Sequence, residues 1–160
     1  MDVEAIVGRF VEKGHEEENI RATIESYLSM PLTLPVDDVP MRRISEVLTN
    51  HGYITTITCD GHGKKFPQIF LQTKDSSHLR HLAHIVAREI TAANLPWRLI
   101  AWSYHPLTNT DIPLSHILEP YAARRDIDPQ RDHAKLLQDL DIIGIYVMDY
   151  FSDIKPLSCQ

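Results

Sequence analysis

At 160 residues, with 43% hydrophobic and 24% charged side chains, the chain is sized and composed for one domain with its own core, which excludes a disordered or fibrous protein. Its formal net charge of −6 argues against nucleic acid as a partner, because that affinity comes largely from Lys and Arg neutralising phosphate. Cys59 and Cys159 are too few and too far apart for a disulfide framework, Met1-Asp2-Val3-Glu4 carries no basic and then apolar leader, and the longest apolar run, Ile142–Met148, is about seven residues against the roughly 20 that span a bilayer; we therefore expect a reducing, cytoplasmic setting without membrane insertion.

Val3, Ile6, Val7, Phe10 and Val11 recur at helical spacing and stop at Gly14, and Ile20, Ile24, Tyr27 and Leu28 define a second helix that opens on Glu16, Glu17 and Glu18. The two form a helical hairpin over residues 1–30. Pro31–Val36 is too proline-rich for a helix and reads as an extended linker or an edge strand. Asp37 or Asp38 then caps a helix with Met41, Ile44, Val47 and Leu48 on one face, closed by Gly52. Tyr53–Thr58 is a strand by its β-branched and aromatic content, and Gln68–Gln72, entered through Pro67, is its partner.

A helix capped by Asp75, Ser76 or Ser77 runs to about Ala93, with Leu79, Leu82, Ala83, Val86 and Ile90 as its apolar stripe. On it His81 and His84 fall toward solvent, while His78 lies beside the stripe near the helix start. Trp97–Tyr104 is a further strand, and the loop that follows, with His105 and Asp111, leads to Leu114–Tyr121, read as a short helix carrying His116. Asp128-Pro129 opens a long C-terminal helix reaching Asp153, whose middle, with Ile142, Ile145, Tyr146 and Met148, is apolar nearly all round. Such a helix is either central to the fold or covered by a second chain, so a homodimer through those four residues is a candidate partnership. In sum, the order matches the split βαββαβ pattern of a ferredoxin-like sandwich: an α+β domain over 1–160, with a small antiparallel sheet of three or four strands and helices on one face in the core (31–104), and the loop and long helix beyond it (105–160).

The stretch that carries chemistry is the loop Cys59-Asp60-Gly61-His62-Gly63-Lys64-Lys65. A thiol, a carboxylate and an imidazole fall within four residues, between glycines that permit a sharp turn. Cys59 and His62 have the spacing of a local pair of zinc ligands, and zinc suits these residue types; His78, His105, Asp111 or His116 would complete a set. Asp60 and His62 are the candidate catalytic groups of a metal-assisted hydrolase, with Asp60 as general base or oxygen ligand. In an alternative, the backbone of Gly61 and Gly63 with Lys64 holds a phosphate-containing small molecule. A third expectation is a homo-oligomeric or protein-interaction module without chemistry. Asp60-Gly61-His62-Gly63 also looks like the signature of metal-dependent serine/threonine phosphatases. That family's later Asp-Gly and Asp-Asn pairs do not occur after Thr73, and Lys64 stands where it has a further glycine, so the tetrapeptide is read as coincidence.

Overall fold

The computed structural model describes residues 1–73, 76–102, 115–124 and 126–153. Asp75, Tyr104, His105, Asp111, Leu114 and Cys159, which figure in the expectations above, lie outside them. Helix α1 (Val3–Glu12) is capped by Asp2, whose carboxylate accepts from the Ala5 N–H at 3.1 Å, and it ends as the sequence predicts, at Gly14. Helix α2 (Glu17–Ser29) completes the hairpin, and α3 (Val39–Asn50) starts on the Asp38 cap, with Pro40 in its first turn.

Gly52 is the stop that launches the sheet. With φ at 90° it lets the N–H of Tyr53 return to the Leu48 carbonyl at 3.0 Å, a Schellman turn that aims the chain straight into β1 (Ile54–Cys59). A tight turn at Gly61–Gly63 joins β1 to β2 (Gln68–Gln72). Helix α4 (Ser76–His84) continues as a π-helix over Ile85–Ile90 before β3 (Trp97–Trp102), β4 (Ser115–Pro120) and α5 (His133–Asp153).

The described strands form one antiparallel sheet in the order β1-β2-β4-β3, so the α+β class with a helical hairpin at one end and a long helix at the other holds. The split βαββαβ order does not. The segment Pro31–Val36 is not a strand, because its prolines lack donors and the N–H groups of Thr33 and Leu34 are taken by the Glu46 carboxylate. The fourth strand is instead Ser115–Pro120, read above as a short helix. The consecutive buried residues His116, Ile117 and Leu118 give a short apolar run with no period of its own, and pairing with β2 and β3 on both sides decides its conformation. A bulge at Thr56 shifts the register of edge strand β1.

Ile69, Leu71 and Leu118 are fully buried on the sheet face that α3, α4 and α5 cover. The opposite face carries a row of Ile57, Phe70, Ile117 and Ile100, in which Ile57 is 52% exposed. Helix α5 is the centre of the molecule: Ile143, Ile145 and Val147 are fully buried, each worth about 1.5–3 kcal/mol relative to exposure. Ile142 and Tyr146 are buried with them, and Met148 packs against the same cluster. The all-round apolar character that suggested a dimer through these four residues is therefore met within the chain itself. One polar tie crosses this interior: Asp141 of α5 accepts from the Tyr27 hydroxyl at 2.8 Å and from Arg43 at 3.3 Å, joining α2, α3 and α5. Burial raises the pKa of Asp141, against the opposing pull of Tyr27 and Arg43.

Two further readings change. Helix α5 begins at His133, not Pro129, because the Asp128 carboxylate closes a separate turn by accepting from the N–H groups of Gln130 and Arg131. On α4 Ile85, three residues after Leu82, is buried with Leu82, Val86 and Ile90, while Ala83, at the edge of that stripe, is exposed. His81 is not solvated: its Nδ1 lies 2.9 Å from the Tyr150 hydroxyl and its ring packs against Phe151.

Candidate metal site

Strand β1 delivers Cys59 to its end, and the chain then reverses through three consecutive residues of positive φ: Gly61 at 77°, His62 at 51° and Gly63 at 69°. The turn is closed by the Gly61 carbonyl, which accepts from Lys64 N at 2.9 Å and Lys65 N at 3.0 Å. Gly61 is favoured twice over: besides its positive φ, a Cβ there would lie a tight 3.1 Å from the Phe66 carbonyl carbon. His62 is the exception, an L-residue held left-handed at a conformational cost of about 1–2 kcal/mol. A locally unfavourable backbone that carries an imidazole is the kind of outlier that marks a functional position.

The geometry brings three of the expected groups together. One ligand atom each from Cys59, Asp60 and His62 lies within 4.8 Å of the other two. The Asp60 carboxylate accepts from His62 N at 3.1 Å and meets His62 Nδ1 at 3.0 Å, while the Cys59 sulfur accepts from Gly61 N at 3.3 Å. Cys59 is exposed, the His62 side chain is 79% exposed and that of Asp60 22%. Ligand atoms on a tetrahedral zinc sit roughly 3.3–3.8 Å apart, given bonds of about 2.0–2.3 Å, so Asp60 and His62 at 3.0 Å are already close enough and the widest separation needs to shrink by at most about an ångström.

These groups line one wall of a cavity of about 300 Å³, together with Thr58; the other wall is Pro35, Val36, Asp37, Asp38 and Met41, from the linker and the start of α3. That second wall is pinned. Glu46, 4% exposed, accepts from the Thr33 hydroxyl at 2.8 Å, from Leu34 N at 2.6 Å and from Thr33 N, and Arg42 Nε donates to the Val36 carbonyl. Burial would raise the Glu46 pKa, but the Leu34 and Thr33 donors, with Arg42 nearby, hold it below the usual carboxylate value. Sequence reasoning missed this wall. The available signal was the Asp37-Asp38 doublet, since one carboxylate suffices to cap α3 and the other is left over.

The remaining candidates lie elsewhere. His78 stands edge-on to the Tyr53 ring at a centroid separation of 5.5 Å, and its carbonyl accepts from the Tyr53 hydroxyl. That is the opposite end of β1 from Cys59, about 20 Å away at ~3.3 Å per strand residue. His116 is buried on β4, opposite Leu71 and Ala101, with β2 between it and β1. In the loop itself the N–H groups of Gly61, His62, Lys64 and Lys65 are all engaged internally. No family model matches this chain, and no curated protein and no solved structure matches it either.

Proposed function

We propose that the chain binds a divalent transition metal ion through Cys59, Asp60 and His62, with zinc the ion that this mixture of sulfur, nitrogen and oxygen ligands suits best. The observation that supports it most is the convergence of the three ligand atoms within 4.8 Å on a turn that spends backbone energy to hold the histidine there. The cavity supports a cation over an anion. Asp37, Asp38 and Asp60 line it, and neither Lys nor Arg is among its lining residues. A phosphate group would meet those carboxylates and would find the loop's N–H groups already used, so the reading of Gly61, Gly63 and Lys64 as a phosphate cradle is the weaker one.

With three protein ligands, an open fourth position would suit the site to metal-assisted hydrolysis: the ion would supply acidity to a bound water, and the Asp60 oxygen not bound to it would accept the proton, while His62 would serve as a ligand only. The test is metal analysis of protein purified without an affinity tag, followed by cobalt(II) titration. We expect about one ion per chain and a thiolate-to-cobalt absorption band, both lost in Cys59→Ser and His62→Gly. Metal content well below half an equivalent, with no cobalt band, refutes the proposal.

A further inference from the structure

We infer that Asp37 is the fourth ligand of this site, so that the bound ion is enclosed and fastens the linker before α3 to the β1–β2 turn; this rests on the metal-binding reading above. Of the two acidic residues on the opposite wall, Asp38 is committed. Its Oδ1 accepts from Met41 N at 3.0 Å and caps α3, which fixes the orientation of its carboxylate on the helix end. Asp37 is exposed on the same cavity and makes no hydrogen bond or ion pair with any described residue. It stands one residue beyond Val36, whose N–H donates to the Leu34 carbonyl at 2.9 Å and whose own carbonyl accepts from Arg42, so the backbone that carries it is fixed in place.

The Asp37 carboxylate is not among the atoms already within 4.8 Å of one another, so it closes on the ion from across the cavity by side-chain rotation. Structural zinc sites are four-coordinate and closed, and catalytic ones keep one position for water. A carboxylate in that position makes this a structural or storage site, not a hydrolytic one. The ion then links two segments that are far apart in sequence, the linker at residue 37 and the turn at residues 59–62. Neutralising a carboxylate on each wall together with the thiolate also gives the cavity's acidic lining a purpose.

The experiment uses the full-length chain under reducing conditions, titrated with cobalt(II) and then zinc, comparing the wild type with Asp37→Asn, Asp38→Asn and Asp37→Cys. Asparagine caps helices as well as aspartate does, so the first two variants fold alike and each removes one negative charge from the same cavity. Asp37→Asn should weaken zinc binding at least tenfold, and Asp38→Asn by less than threefold. Asp37→Cys, which substitutes a thiolate for the carboxylate, should roughly double the intensity of the thiolate-to-cobalt band. Equal weakening by the two asparagine variants, or a cobalt spectrum unchanged in Asp37→Cys, overturns the assignment of Asp37 while leaving the three-ligand site standing. Absence of binding in the wild type overturns both.

Discussion

Replacing His62 by glycine separates what this residue does for the fold from what it does for the site. Its left-handed backbone, with φ 51° and ψ 31°, costs about 1–2 kcal/mol that glycine does not incur. Glycine returns roughly 0.5–1 kcal/mol through the greater freedom of the unfolded chain. The contact with the Asp60 carboxylate lost with the side chain, which is 79% exposed, is worth about 0–1 kcal/mol. Alanine loses the same contact but keeps the strain. In the presence of a chelator, His62→Gly should therefore exceed His62→Ala in stability by about 0.5–1 kcal/mol, a few degrees at most in Tm for a chain of this length. Zinc at a hundredfold excess over Kd should stabilise the wild type by about 2.7 kcal/mol and neither variant. Urea unfolding of the three proteins with chelator and with zinc measures both differences. If the alanine variant equals the glycine variant without metal, the turn is not strained; if zinc raises all three alike, the ion sits somewhere other than His62.

Two further expectations concern the frame around the site. A Cβ on Gly144 of α5 would come within 2.6 Å of the ring of Tyr27, a buried side chain that is held by its bond to Asp141 and has no room to retreat. Gly144→Ala should thus destabilise by about 1–2 kcal/mol in urea unfolding, the overlap outweighing the roughly 1 kcal/mol that alanine gains in helix propensity; a stabilised variant would show that α2 and α5 do not pack this closely. Glu46→Gln removes the charged acceptor that pins the linker and should cost about 1–3 kcal/mol at neutral pH. Because the folded-state pKa of Glu46 is lowered from 4.5, its contribution is present above that value and disappears as pH falls through the folded value, so unfolding curves of variant and wild type should converge in acid. A gap that stays constant down to low pH would refute the role assigned to the carboxylate.

Much of this arrangement is already decided along the chain. The aspartate cap at residue 37 or 38, which the structure gives to Asp38, the glycine stops at Gly14 and Gly52, the β-branched strand after Gly52 and the Cys-Asp-Gly-His-Gly turn are signals in which each residue acts on its immediate neighbours, and all of them appear where the sequence puts them. The apolar length of α5 foretold a central helix for the same reason, although its first turn was displaced by the Asp128 side chain. Tertiary structure alone decided the rest. Ser115–Pro120 became a strand because β2 and β3 offer it partners on both sides, and His78 went to the Tyr53 end of β1 because α4 packs there. Asp37 faces Cys59 across a cavity because Glu46, on the third turn of α3, captures Thr33 and Leu34. Local periodicity and capping fix what an element is and which way its faces point; they carry no information on which distant segment will meet that face, and a site built from two walls depends on that meeting.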